Sequence, residues 1–261
     1  MANDREVLKE VWDGKIPTKF IVDSEDIEVE AYFLLLPRVS YLSLVIEKIR
    51  KHFQRYIEKE DEIWFSYNNS IPLKFHIPIG VLYDLTGSEH PLPWQINVHF
   101  NKFPEDCLFK FPNKDVIESF FMNCLKEADF LKHKGQIVSQ MQKKEHKQLF
   151  LGLQNDKFDQ FWAVNRRLME SIEQENCFKY IPLRCYTDDC YSYSQKLICP
   201  LSEKGQRKTL KDLLKELSTP TLEAIGAKTH GVEVPLDAEL QWLSETLSYP
   251  DNFLHLCLIY K

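Results

Sequence analysis

The side chains able to do chemistry here are seven cysteines, eight histidines and 33 lysines and arginines, and their spacing argues against most active sites. Cys177, Cys185, Cys190 and Cys199 cluster, but no C-x₂₋₄-C pair among them is matched by a second, as a tetrahedral zinc site would need. Cys185 and Cys199 fall in apolar stretches that read as strands, so structural thiols with buried neighbours are expected. Cys124 lies on the apolar stripe of a helix, which points to a buried, unreactive thiol. No H-E-x-x-H occurs, and no two histidines stand four residues apart. The expectation is a chain with no metal, no cofactor and no catalytic residue.

Glycine sharpens this. Eight glycines in 261 residues is less than half the usual ~7%. Gly14, Gly80, Gly87, Gly135, Gly152, Gly205, Gly226 and Gly231 are never closer than five residues apart. Phosphate-cradling loops and the strained turn of a serine hydrolase need clustered glycine, so nucleotide-binding and hydrolase signatures are excluded. Apolar residues make up 44%, enough for one or two substantial cores. The charged start, Met1 to Glu10, has no apolar core of a secretory signal. The longest apolar run is six residues, Ala31 to Leu36, far short of a membrane span. An odd cysteine count fits a reduced compartment, and a soluble cytoplasmic protein is expected.

Charge is unevenly placed. Residues 1–30 carry nine acids and four bases, and residues 233–260 five acids and no lysine or arginine. Residues 131–150 hold Lys132, Lys134, Lys143, Lys144 and Lys147 against Glu145 alone. That basic stretch is a solvated helix face or a patch facing an anionic membrane. The net charge of −6 and the lack of a basic-aromatic motif disfavour nucleic acid.

The elements that would position these residues fall into a repeated pattern. Val7, Leu8, Val11 and Trp12 make the stripe of a short amphipathic helix over residues 1–13. Its ten or so residues are marginal alone and must pack on their own chain or help form one wall of a groove. Ile16–Val22 and Ala31–Leu36 read as strands, the second more buried. Ser40 would cap a helix to Ile57; strands follow at Ile63–Tyr67, Leu73–His76 and Pro93–Phe100. From Phe103 to Glu175 the period turns helical, with helices over about 113–133, 136–151 and near Phe158–Met169. Strands at Ile181–Thr187 and Lys196–Cys199, helices at Thr209–Leu217 and Leu240–Leu247, and a strand at Tyr249–Tyr260 then repeat the first segment. The fold class expected is α+β: two ubiquitin-like β-grasp domains, 14–101 and 178–261, flanking a linker and helix-rich domain at 102–177.

Four runs carry a resemblance: Cys124-Leu-Lys-Glu-Ala-Asp129, Met141-Gln-Lys-Lys-Glu-His-Lys-Gln148, Gly152-Leu-Gln-Asn-Asp-Lys-Phe-Asp-Gln-Phe-Trp162 and Leu247-Ser-Tyr-Pro-Asp-Asn-Phe-Leu-His255. They resemble the autophagy protein 5 family, from Val7–Trp12 to the last strand, and most closely an animal, insect-like member. Before the second strand this chain is shorter than human-like sequences, which have a longer acidic loop there. The resemblance implies two ubiquitin-like domains around a helix-rich one. It implies no enzyme activity of its own, but covalent attachment, through one lysine, to the C-terminal glycine of the ubiquitin-like autophagy protein 12. It further implies binding of the N-terminal helix of autophagy protein 16. The conjugate would be an E3-like factor that promotes transfer of an autophagy protein 8 modifier from its E2-like enzyme to phosphatidylethanolamine. Such a protein would be cytoplasmic and peripheral at the preautophagosomal membrane. The family's acceptor falls on Lys126.

Nine positions beyond Ile117, at about 100° each, turn Lys126 about 180° from the apolar stripe. An ordinary exposed helix lysine would fit that geometry as well. Asp129, three residues on, would hold such an amine protonated, so the conjugating enzyme is expected to remove the proton. Val7, Val11 and Trp12 are expected to line the groove for the partner helix. Two other classes stay open: a ubiquitin-like scaffold without conjugation, and a cysteine-dependent transfer enzyme. The chain lacks a terminal Gly-Gly, so it would receive a modifier rather than be one.

Overall fold

A computed structural model describes residues 2–22, 29–56, 62–100, 103–111, 113–171, 177–187, 192–219 and 223–261, with side chains from residue 5 onward. Ile57 and Cys190 lie outside them. The described chain divides into two compact units, Gly14–Ile117, and Met1–Asp13 with Glu118–Lys261.

The first unit is built on strands β1 (Lys15–Val22), β2 (Tyr32–Pro37), β3 (Trp64–Tyr67), β4 (Ile71–Pro72) and β5 (Trp94–His99), in the spatial order β2-β1-β5-β3-β4. β1 and β5 run parallel at the centre, and the other pairs are antiparallel. Alternation in β1 turns Ile16, Thr18 and Phe20 inward, where they are buried. Helices α2 (Ile46–Phe53) and α3 (Ile79–Thr86) add Ile49, Phe53, Ile79 and Leu82 to the buried set. Asn68 and Asn69, both at positive φ, turn β3 into β4, which asparagine tolerates better than most residues.

Several expectations need correction here. β2 is an edge strand, not the more buried of its pair: Phe33 and Leu35 are 61% and 64% exposed. An apolar run buries both faces only where both are covered, and in β2 alternate side chains point outward. The helix expected from Ser40 begins later, after a 3₁₀ turn at Leu42–Leu44 that Ser40 does not cap. The strand expected at Leu73–His76 ends at Pro72. Leu73 still donates to the Phe65 carbonyl at 2.8 Å, but the chain then turns, with the Ile77 N–H on the Lys74 carbonyl, and leaves the sheet.

The second unit repeats the topology. Strands β6 (Leu183–Tyr186), β7 (Tyr193–Ser194), β8 (Ala224–Thr229), β9 (Val232–Glu233) and β10 (Leu254–Tyr260) take the order β7-β6-β10-β8-β9, with β6 and β10 parallel. This is the same permutation as in the first sheet. Helices α7 (Leu210–Leu217) and α8 (Leu240–Leu247) occupy the places of α2 and α3. Leu183, Leu210, Leu213, Leu240, Leu243 and Leu256 are fully buried in its core. Sequence reading missed β8 and β9, because Ala-Ile-Gly-Ala-Lys-Thr carries few β-branched residues. It also placed Cys199 in a strand; the chain makes only a bridge at Ile198, and Cys199 is exposed.

The helices of the same unit are α1 (Ala2–Asp13), α4 (Lys114–His133), whose last sixteen residues belong to it, α5 (Lys143–Gln154) and α6 (Phe158–Met169). α5 and α6 form a tight pair. A Cβ on Gly152 would come within 2.9 Å of the Phe161 backbone nitrogen and 3.0 Å of its Cα. Alanine gains about 1 kcal/mol of helix propensity over glycine. The clash, however, is with backbone that cannot swing aside, so overpacking of about 1–3 kcal/mol should win. Gly152→Ala is expected to lower the thermal midpoint, and a midpoint at or above that of the parent would show that the helices can separate freely.

Candidate functional site

The acceptor candidate sits on α4, and the helix is fixed in rotation by what its other faces touch. Ile117, Phe121, Cys124, Leu125 and Ala128 are buried. Cys124 and Ala128 pack with Phe253, at the entrance to β10, together with Phe120 and Leu131. The neighbour Glu127 accepts from Gln195 at 2.8 Å and lies 3.6 Å from the Arg184 guanidinium. With those positions held, Lys126 is exposed. Asp129 does not accompany it, contrary to the expected i, i+3 pairing. Its side chain is buried, bonded to His133 Nδ1 at 3.1 Å, and accepts from the backbone N–H groups of Ile137 and Val138 at 3.2 and 2.8 Å. Turning this carboxylate out toward Lys126 would cost those three buried hydrogen bonds.

Beneath α4 lies a buried polar network that sequence reading did not find. Arg184 of β6 points Nη1 at Asp251 Oδ2, 3.3 Å away, and Nη2 at the Cys124 sulfur at 3.8 Å, with its guanidinium 3.8 Å from the Phe253 ring centre. Asp251 also accepts from the Phe253 N–H at 3.1 Å and from His255 Nε2 at 3.0 Å. His255 Nδ1 stands 2.8 Å from the Tyr186 hydroxyl. Burial pushes the Asp251 carboxyl up, but His255, Arg184 and the Phe253 N–H together hold it below its ordinary value. Burial, helped by the charge on Arg184, pushes His255 down and leaves its ring neutral. Nε2–H then donates to Asp251 and Nδ1 accepts from Tyr186, whose hydroxyl burial holds well above its ordinary pKa. The sequence signal was present: a Pro-Asp-Asn turn leading into an alternating strand, with His255 on its polar face. What it lacked was any sign that a helix covers that face.

Cys124 is not a nucleophile in this setting. Burial raises its thiol to about 11, and Cys185 is raised by the same cause to about 12. Among the described residues no group of three or more histidine, cysteine, aspartate or glutamate side chains could hold a metal ion.

The basic patch divides. Lys134, Lys143, Lys144 and Lys147 are exposed. Glu145 of the same turn closes a capping box with Gln142 and binds Arg167 at 2.8 Å. Lys132 must be withdrawn from the patch: it is 1% exposed and faces no membrane. Its amine lies 3.0 Å from the Met169 sulfur, 3.4 Å from both the Leu168 carbonyl and Asn252 Oδ1, and 4.7 Å from the Phe178 ring centre. Burial lowers its pKa to about 7, against smaller opposing effects of Glu245, Asp129 and Asp251. The charge run concealed this because a helix with one wholly inward lysine keeps the same composition.

The terminal helix packs on its own chain. Trp12 is 3% exposed, edge-on to Phe158 at 6.0 Å and tilted against Phe161 at 5.0 Å, so it is a core residue and cannot line a groove. Val7 and Val11 are half-buried. Arg5 reaches Asp159 at 2.9 Å, and α1 also touches α8. No described helix is long and apolar enough to cross a membrane.

Comparison with known proteins accounts for the architecture. Family profiles described as autophagy protein ATG5, UblA domain, alpha-helical bundle region and UblB domain match residues 11–100, 114–171 and 180–258. Autophagy protein 5 of Drosophila melanogaster is 54% identical over 268 residues, covering 100% of this chain and 99% of that protein. Autophagy-related protein 5 of Caenorhabditis elegans is 35% identical, covering 98% of each. The crystal structure of Kluyveromyces marxianus Atg5 superposes with a TM-score of 0.82 at 18% identity, over 98% of this chain and all of that one, a likeness of fold. Two ubiquitin-like domains with a helical bundle between them in sequence, matched end to end by relatives this similar, place the chain in the autophagy protein 5 family, with a role in autophagy.

Proposed function

We propose that this chain is the acceptor of a ubiquitin-like modifier, autophagy protein 12, joined to its C-terminal glycine by an isopeptide bond at Lys126. The observation that carries the reading is the exposed Lys126 amine, on a helix whose rotation Glu127, Cys124 and Ala128 fix. An amine held on a rigid element loses little freedom when a thioester arrives, which favours attack. The chain's part is to present the amine; the conjugating enzyme removes its proton and supplies the activated carbonyl. The conjugate then acts as an E3-like factor for transfer of an autophagy protein 8 modifier from its E2-like enzyme to phosphatidylethanolamine, with no active site in this chain. Val7 and Val11 contribute to the site for the N-terminal helix of autophagy protein 16, with Trp12 supporting them from behind. Lys134, Lys143, Lys144 and Lys147 suit peripheral contact with an anionic membrane. The protein works from the cytoplasm.

Lys126→Arg keeps the charge and the helix propensity, so it should abolish the modifier-sized adduct while leaving the fold intact. Lys114→Arg should leave the adduct unchanged. Mass spectrometry of the protein from cells should find one branched peptide, at Lys126. A full-yield adduct on the Lys126→Arg chain would reject the assignment, and a chain that never shifts in size would favour a scaffold without conjugation. Alkylation of the cysteines before assay should spare activity, which separates this reading from a thiol-dependent transferase.

A further inference from the structure

The open face of α4 carries one side chain out of keeping with the rest. Within the second unit its exposed positions are Ser119, Asn123, Lys126, Glu127 and Phe130, four polar side chains and one aromatic. Phe130 is 66% exposed, the most open aromatic among the described residues of that unit. Lone apolar side chains are common on protein surfaces. The register of this one gives it meaning: it follows Lys126 by four residues, one turn on and on the same side, so the two side chains start about 5–6 Å apart.

The setting is rigid. The Phe130 carbonyl accepts the Lys134 N–H at 3.0 Å, and Gly135, at φ +79°, turns the chain so that its own N–H bonds the Asp129 carbonyl at 3.2 Å. The Asp129 side chain ties the same turn to the N–H groups of Ile137 and Val138. A Cβ at position 135 would lie 3.9 Å from Phe130 Cδ2, so glycine leaves that flank of the ring bare. A ring on a backbone held in this way loses little freedom when something covers it.

The bond to be made at Lys126 fixes what that is. The modifier residues just before the donated glycine must lie close to the Lys126 nitrogen, at about 3.3–3.6 Å of chain per residue. Run toward the start of the helix, that tail would cross Asn123 and Ser119, which offer no apolar contact. Run sideways, it would meet Glu127, which accepts from Gln195 at 2.8 Å and lies 3.6 Å from Arg184. Run toward the helix end, it crosses Phe130 within about two residues.

We propose, resting on the reading of Lys126 as acceptor, that Phe130 is a positioning residue for the donated modifier. Its ring seats an apolar side chain from the last few modifier residues before the glycine and lays that extended tail along the end of α4. In the transfer the Lys126 nitrogen bonds to the glycine carbonyl carbon, the thioester C–S bond breaks and the sulfur leaves on the conjugating enzyme. Of the two protons that the ammonium gives up, one ends on the departing thiol and the other in solvent. A tail held at two points keeps the carbonyl in line with the amine while this happens.

The test is single-turnover discharge of a preformed thioester of the modifier on its conjugating enzyme, at rising concentrations of the full chain. Phe130→Ser keeps the helix propensity and removes only an exposed side chain, so the thermal midpoint should hold. Its limiting rate should fall at least about tenfold with the half-saturating concentration unchanged, because the contact exists only while the glycine is at the amine. Phe130→Leu should restore most of the rate. Replacing the three modifier residues before the glycine by serine should cost a similar factor, and little more when combined with Phe130→Ser, because both remove one contact. The proposal is overturned if Phe130→Ser discharges at the parent rate, or if the two sets of substitutions multiply. It is also overturned if the loss lies in half-saturation alone, which would make the ring a contact for the conjugating enzyme. The acceptor reading fails separately, by a full-rate adduct on the Lys126→Arg chain. A Phe130→Ser chain that is slowed at saturation yet modified only at Lys126 upholds both.

Discussion

Asp251→Asn should destabilise the second unit by about 3–5 kcal/mol, the usual cost of leaving one member of a buried ion pair without its partner. The substitution preserves shape, so the loss isolates charge. Arg184 would keep its guanidinium in a site 4% exposed, left with Glu127 at 3.6 Å, the Cys124 sulfur at 3.8 Å and the faces of Phe253 and Tyr193. His255 would lose the carboxylate that fixes its tautomer, and with it the bond to Tyr186. The check is urea unfolding of parent and variant at neutral pH. Combining Asp251→Asn with Arg184→Met should recover much of the loss, because the stranded charge is then gone. The pH dependence has a definite sign. A carboxyl held below its ordinary 3.8 contributes stability that is fully present above that value and disappears as pH falls through the lowered native one. The gap between parent and variant should therefore be widest near neutrality and close in acid. A gap that stays constant down to low pH would mean that Asp251 acts by packing alone.

Lys132→Met should remove a rise of stability with pH that the parent shows above neutrality. The unfolded lysine binds its proton below about 10.5, whereas the native one does so only below about 7. Between those values the unfolded chain holds more protons, so parent stability rises with pH by about 1.4 kcal/mol per unit. Below about 7 both states are charged and the slope from this residue vanishes. Methionine has nearly the same length, carries no charge and suits contact with Met169 and the Phe178 ring. It forfeits two long contacts, to the Leu168 carbonyl and Asn252, and the attraction of the ammonium for Phe178, about 1–2 kcal/mol. Burial of the charge costs more than that at pH 7, so the variant should be the more stable there and lose its lead by pH 9 to 10. Parallel stability curves for the two proteins would refute the buried, depressed amine.

Much of this architecture is legible in the residues. The parallel between Ile16-Pro-Thr-Lys-Phe-Ile-Val22 and Ile181-Pro-Leu-Arg-Cys-Tyr-Thr187 marks β1 and β6, which occupy the same place in two sheets of identical strand order. The stripe Ile117, Phe121, Cys124, Ala128 places Lys126 on the open side of α4. What periodicity cannot show is which polar faces a neighbouring element covers. Phe33 and Leu35 read as core because they are apolar, yet nothing described lies over them. Lys132 reads as solvent-facing because it is polar, yet α6 and Phe178 close over it. Trp12 shows the same limit in reverse: its stripe announced burial, but only the Phe158–Phe161 turn of α6 told against what. Resemblance supplied the role proposed for Lys126, which geometry alone would not single out from Lys114.

The second sheet also imposes an order on how the protein comes into being. Its central strand, β10, is the last of the five to be synthesised, so the other four cannot close around it until the ribosome has delivered it. Helix α4 emerges well before, by about ten seconds at common elongation rates, and until Asp251, Phe253 and His255 arrive its inner face has nothing to rest on. Lys126 thus takes up its final setting only when the domain that holds its helix is finished. A chain released before β10 has been added would therefore leave the inner face of α4 uncovered and Lys126 on an unanchored helix.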